Sequence, residues 1–205
     1  MKRCFLFLCC IAMLGLASVT SSYAETFDAA REYSCDQPGS GTWYYEAYRH
    51  SDGVYLSMVF GHAPLTEVSK YGVEAHYLPD GGQAYYPFIT MFDKSIVVSP
   101  ATSGDKFDVV LAWVSPYACD INATGFVRLM GSIKGGAASG KKVNARLVLG
   151  GKTLWSAEVA GDKTVVFSVR STVSEKDRLR LHIENAGDAS GDLTAVQLQV
   201  ETTKN

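Results

Sequence analysis

Beyond residue 105, apolar and polar positions alternate in short runs separated by Gly, Ser and Asp. Residues 178–184 (RLRLHIE) put Leu179, Leu181 and Ile183 on one side and Arg178, Arg180 and His182 on the other. Residues 193–201 repeat the pattern, with Val196, Leu198 and Val200 inward and Gln197, Gln199 and Glu201 outward. Residues 143–149 place Val143, Ala145, Leu147 and Leu149 on one face, and 125–133 alternate in part. The run 107–113 (FDVVLAW) is largely apolar and reads as a buried strand. Strands are also expected at 153–159 and 164–169, across a Gly161-Asp162 turn. Period-2 runs with turns every 8–12 residues or so predict an all-β fold, an antiparallel β-sandwich or barrel. Residues 62–76 hold at most one helical turn, interrupted by Gly72, and no repeat or linker divides the chain.

The first residues follow a different rule. Lys2 and Arg3 precede an apolar run over 4–19, and Ser22-Tyr23-Ala24 supplies small residues at −3 and −1. This is the layout of a cleaved signal peptide over 1–24, with an apolar stretch short of the ~20 residues of a spanning helix. The expectation is a secreted or periplasmic protein with one domain over 25–205 and no membrane span after cleavage. Export changes the cysteine arithmetic. Cys4, Cys9 and Cys10 leave with the leader, so Cys35 and Cys119 are expected to form a disulfide. Closing a loop of about 84 residues would add roughly 4–5 kcal/mol.

Composition bounds the partners. The net charge is −2, and more negative without Lys2 and Arg3, which offers no global footprint for nucleic acid. Twelve aromatic residues fall within 43–92, about half of the chain's total. Trp and Tyr rings suit the flat C–H faces of sugars, so Trp43, Tyr44, Tyr45, Tyr85 and Tyr86 are a candidate platform. Ordinary strand packing is the competing reading. In residues 43–50 (WYYEAYRH), alternation puts Trp43 and Tyr45 on one face and Tyr44 and Tyr48 on the other, and one face must be core or partner-facing.

Several segments resemble a known family. These are 112–116 (AWVSP), 125–131 (GFVRLMG), 148–155 (VLGGKTLW), 177–183 (DRLRLHI) and 192–196 (DLTAV). Together, residues 95–200 resemble the jelly-roll β-sandwich family of galactose-binding-like, carbohydrate-binding modules. The resemblance implies that fold and a glycan or polysaccharide partner. Lys176 stands where the family usually has Gly before Asp177, and Gly150-Gly151 lacks the usual Asn.

Three further constellations carry chemistry. Arg178, Arg180 and His182 share a polar strand face, which Gln197 and Gln199 would join if both strands lie in one sheet, with Arg128 and Arg146 as further candidates. Arginine forks suit uronate or sulfate; a solvated sheet face is the plainer alternative. Asn185, Asp188 and Asp192 form an oxygen-rich loop of the kind that holds structural calcium; no other cofactor is expected. No catalytic motif appears, and no catalytic residue is assigned. A lyase reading would pair His50 or His76 with Tyr45, Tyr48, Tyr77 or Tyr85, while Glu46, Glu67, Glu74 and Asp80 are the acids available for glycoside hydrolysis. Asn122-Ala123-Thr124 is a glycosylation sequon in a eukaryotic source alone. The leading expectation is a non-catalytic carbohydrate-binding protein. The alternatives are a structural or protein-interaction domain of the cell envelope and a β-sandwich polysaccharide lyase.

Overall fold

The computed structural model describes residues 23–35, 41–62, 74–78, 87–100, 107–132, 138, 141–186 and 193–204. Within them the chain is all-β, built from two antiparallel sheets packed as a sandwich of jelly-roll type. The first sheet has six strands in the order β11 (Lys152–Ala160), β10 (Lys142–Leu149), β13 (Arg178–Asn185), β8 (Phe107–Val114), β2 (Trp43–Arg49) and β3 (Val54–Ser57). The second runs β12 (Thr164–Val173), β9 (Cys119–Leu129), β14 (Thr194–Thr203), β7 (Ser95–Ser99), β6 (Phe88–Phe92), β5 (Ala75–Tyr77) and β4 (Val59–Gly61). One flank of β14 is shared: Thr194–Val196 pair with β7, and Gln199–Thr203 pair with β1 (Ala24–Asp28). Ala24, expected as the last leader residue, opens β1 opposite Thr203; residues 1–22 lie outside the described residues.

From β8 onward the chain changes sheet repeatedly, and the strands after β8 alternate in burial along much of their length. Every strand has one face on the other sheet and one face away from it. Tyr45, Leu111, Trp113, Leu147, Leu179 and Leu181 meet Ile96, Val98, Ile121, Ala123, Leu198 and Val200 in one core. Each fully buried side chain of this size stabilises the fold by about 1.5–3 kcal/mol. Phe27 against Trp113 and Trp155 against Phe167, with ring centroids 5.4 and 4.9 Å apart, join the sheets at two places. Gly125 permits a close approach of β9 to β14, where a β-carbon would fall 2.0 Å from the Gln197 carbonyl oxygen.

Two expectations change here. Gln197 and Gln199 sit on β14, in the eight-stranded sheet, and cannot share a face with Arg178, Arg180 and His182 of β13. Arg128, on β9, is in that second sheet too. The expected disulfide is absent. Cys119 is buried at the start of β9 with its Sγ 3.9 Å from Ser115 Oγ, whereas Cys35 is exposed and both thiols are free. The stabilisation assigned to a closed loop therefore does not apply.

Turn chemistry accounts for the two departures from the family pattern. Leu149 pairs with Lys152 across Gly150 (φ 55) and Gly151 (φ 82), a two-residue turn in which both positions are left-handed. Lys176, between β12 and β13, also has a left-handed backbone (φ 69), a conformation that costs a side-chain-bearing residue about 1–2 kcal/mol. Replacing Lys176 by Gly relieves that strain, partly offset by the freer unfolded chain. Urea unfolding of Lys176→Gly is expected to show a gain of roughly 0.5–1 kcal/mol, and Lys176→Ala none; a loss in the glycine variant would contradict the turn geometry.

Candidate functional site

The outer face of the six-stranded sheet carries an ion network with little water. Alternation turns Tyr44, Glu46 and Tyr48 of β2 outward, with Asp108, Val110 and Ala112 of β8, Arg178, Arg180, His182 and Glu184 of β13, and Arg146 of β10. Cross-strand register aligns Glu46, Val110, His182 and Arg146 in one row, and Tyr44, Ala112 and Arg180 in the next. The middle strand contributes only small side chains to these rows. A long arginine of β13 can therefore reach over Ala112 to the acid on β2.

Two carboxylates anchor the network. Glu46 is 3% exposed and accepts from Arg178 Nη1 at one oxygen and from Arg180 Nε, at 3.0 Å, at the other. Asp108 is 0% exposed. Its Oδ1 accepts from His50 Nε2 at 2.5 Å, and its Oδ2 from Arg146 Nη2 at 2.7 Å and His182 Nδ1 at 2.9 Å. The remaining nitrogen of His182 lies 3.2 Å from the Tyr55 hydroxyl, which donates to it when the ring is neutral. Each arginine also lies against a ring: Arg180 3.9 Å from the Tyr55 centroid, Arg178 4.5 Å from Tyr44, and Arg146 5.6 Å from Tyr48. Such cation–π contacts help to hold the guanidiniums in place.

The electrostatics follow from burial and partners. Burial pushes the Asp108 carboxyl upward, but hydrogen bonds from His182 and His50 outweigh it and leave the group below the usual carboxylate range. Burial holds the His182 imidazole below its ordinary value, against the pull of Asp108. Burial also raises the Tyr55 hydroxyl, with Arg180 opposing, so the group stays protonated as a donor. Both charged acids thus sit among donors, and both Oδ2 partners of Asp108 are fixed.

The sequence-level candidates divide. Arg178, Arg180 and His182 are all in the network, and Arg146 joins them. Tyr44 is half-buried at its edge beneath Arg178. Trp43 and Tyr45 are instead core residues, 5% and 2% exposed, because they face Trp113 and Leu111 of β8 on the inner side. Trp43 Nε1 donates to Glu32 at 3.2 Å, and burial pushes the Tyr45 hydroxyl up to about 12. A platform containing both is therefore not formed. Tyr85 and Tyr86 lie outside the described residues, as do Asp188 and Asp192; Asn185 is half-buried at the end of β13. His76 stacks on Tyr45 at 4.1 Å, but it is fully buried and donates from Nε2 to the Ser34 carbonyl oxygen at 2.7 Å. His50 meets Tyr48 edge-on at 5.3 Å.

Sequence reasoning did not assemble Glu46, Tyr48, Tyr55 and Asp108 into this site. One signal was present: an aspartate inside the otherwise apolar run 107–113 must find partners or not be there. The opposite sheet offers a different surface. Asp120, Asn122, Arg170, Thr172, Glu201 and Thr203 line an open depression of about 600 Å³. Most of these side chains are exposed, so they cost nothing to hold there and specify little. The buried network on the six-stranded sheet is the stronger candidate because its groups have given up water to be in place.

No family model and no curated protein matches the chain. Solved structures similar to it include the CBM36-1 domain of a multidomain xylanase from the hindgut metagenome of Trinervitermes trinervoides, at 8% identity and TM-score 0.35, covering 76% of this chain and 95% of that one. Another is the CBM22-1 xylan-binding domain from Paenibacillus barcinonensis Xyn10C, at 16% identity and TM-score 0.38, covering 78% and 94%. A third is a family 29 carbohydrate-binding module variant complexed with cellulohexaose, at 12% identity and TM-score 0.34, covering 57% and 75%.

His182 gives the site a pH signature. A folded-state value below the unfolded one means the unfolded chain binds more protons, so stability is complete above the unfolded value of 6.5 and falls as the pH drops beneath it. Buried His76 is shifted the same way, first by desolvation, and adds with the same sign. Asp108, also lowered, adds a second loss below its ordinary 3.8. Thermal melts between pH 7.5 and 5 are expected to show a falling Tm, with a smaller slope in His182→Gln. A Tm that rises on acidification would contradict this.

Proposed function

We propose that this protein is exported and binds a glycan, without a covalent step, on the outer face of its six-stranded sheet. One observation carries the reading: Glu46 lies between Arg178 and Arg180, and those arginines lie on Tyr44 and Tyr55. Sugar hydroxyls donate and accept at once. A surface on which guanidinium donors, carboxylate acceptors and phenol hydroxyls alternate matches that chemistry and needs little rearrangement to engage it.

Charge balance refines the ligand class. The arginines expected to seek uronate or sulfate are already paired, Arg178 and Arg180 with Glu46 and Arg146 with Asp108. An anionic sugar would have to approach two buried carboxylates to reach them. The reading therefore favours a neutral chain, bound through hydroxyl hydrogen bonds along the arginine row rather than by stacking on an open aromatic row. Export rests on the N-terminal apolar run and its small-residue cleavage pattern, with a secreted or periplasmic destination. Among the described residues no helix is long and apolar enough to cross a membrane. The burial of Trp43 and Tyr45 favours a second reading, a structural or interaction domain of the envelope.

Affinity electrophoresis through gels containing soluble polysaccharides separates the two. Neutral β-glucans and mannans are expected to retard the protein more than polygalacturonate or alginate. Arg178→Ala and Tyr44→Ala are each expected to weaken retention about tenfold, or ~1.4 kcal/mol; Tyr44→Ala does so with little change in melting, whereas Arg178→Ala also lowers the Tm because it takes one donor from buried Glu46. No retardation by any polymer, or equal retardation of both variants and the wild type, would favour the structural reading.

A further inference from the structure

Asp108 does more than pair with arginine and histidine. Asp108, His50 and Glu184 each bring one ligand atom, a carboxylate oxygen or a ring nitrogen, to within 4.8 Å of the other two. We propose that these three residues form a binding site for a divalent cation of the zinc type, independent of any glycan.

The donor set suits such an ion. One imidazole nitrogen and two carboxylate oxygens are ligands for borderline metals, and three protein ligands with an outward side left to water is a familiar zinc arrangement. The second carboxylate is otherwise unexplained. Glu184 is half-buried near Asp108, and among the described residues its carboxylate has no ion-pair or hydrogen-bond partner. Two acids so close call for a cation. Arg146 and His182 serve only the far oxygen of Asp108, at 2.7 and 2.9 Å, and Glu184 gains nothing from them. Those two contacts also act as the outer partners that metal-binding carboxylates have: they fix Asp108 with Oδ1 turned towards His50.

The geometry requires small adjustments: the Glu184 carboxylate, now within 4.8 Å, closes by side-chain rotation, and the His50–Asp108 contact opens. His50 Nε2 and Asp108 Oδ1 share a hydrogen at 2.5 Å, whereas donors on a common tetrahedral ion at ~2.0–2.1 Å stand roughly 3.3 Å apart. The gap must open by about 0.8 Å, by the metal taking the place of that hydrogen. His50 lies in the turn that follows β2, its side chain is 29% exposed, and it is the member able to move. The balance of charge permits entry, since Arg146 offsets only one of the two acids.

Titration calorimetry of the full chain with Zn²⁺ alone tests this, with the melting curve of each variant as the check on folding. One saturable site per chain is expected. His50→Ala and Glu184→Gln are each expected to weaken it at least tenfold. Glu184→Gln is the deciding variant, because a half-exposed residue with no described partner can change without unfolding the sheet. His62→Ala removes the exposed pair of His62 with Glu74, 3.6 Å apart, and is expected to leave the affinity unchanged. No saturable binding, undiminished binding by Glu184→Gln, or loss on His62→Ala would overturn the proposal.

Discussion

Glu46 and Asp108 are carboxylates almost wholly shielded from solvent, on a sheet whose other face is largely apolar. Removing an ionised acid from water costs several kcal/mol even after relaxation, so each must be met by cations and hydrogen-bond donors. That requirement explains the residues around them. It explains why β8 carries Val110 and Ala112 outward, since anything larger would block the reach of Arg180 from β13 to β2. It also explains the three tyrosines, whose rings keep the guanidiniums in place, with the Tyr55 hydroxyl turned to His182.

Stability alone gives no reason for such a network. A buried ion cluster replaced by apolar side chains of similar size is often as stable or more so, and the sandwich core is already extensive. What the cluster supplies is a rigid pattern of donors and acceptors. The rigidity comes from below: β8 and β13 are flanked on both sides, and their inner residues Leu111, Trp113, Leu179 and Leu181 are locked in the core. The depression on the opposite sheet lacks this property, because its polar groups are mostly solvated and loosely coupled.

Much of the scaffold was legible in the sequence. The apolar run at 107–113 and the period-2 runs from 125 to 201 became strands near the positions expected, the latter because each faces a core on one side. The outward set Arg178, Arg180 and His182 was legible for the same reason. The aromatic stretch 43–49 was not, since both of its faces are aromatic and period cannot say which is buried. The register of β2 against β8 decides it, by setting Trp43 on Trp113 and Tyr45 on Leu111. Asp108 was hidden inside an apolar strand, Glu46 reaches the site through the distant pairing of β2 with β8, and Tyr55 arrives on the hairpin strand beside β2. The cysteines misled because an even count fixes neither distance nor direction. Lys176 shows the reverse case: its departure from the family pattern marks a left-handed turn position that the chain fills at some cost in strain.

The account's central claim is that the arginine row of the six-stranded sheet is the glycan-contacting surface. Side-chain NMR reads it directly, through the Nε–Hε resonances of the arginines during titration with a neutral oligosaccharide. The account predicts that Arg178 and Arg180 shift together and saturate, while Arg170 on the opposite sheet does not move. Shifts centred on Arg170, with Arg178 and Arg180 unchanged, would contradict it.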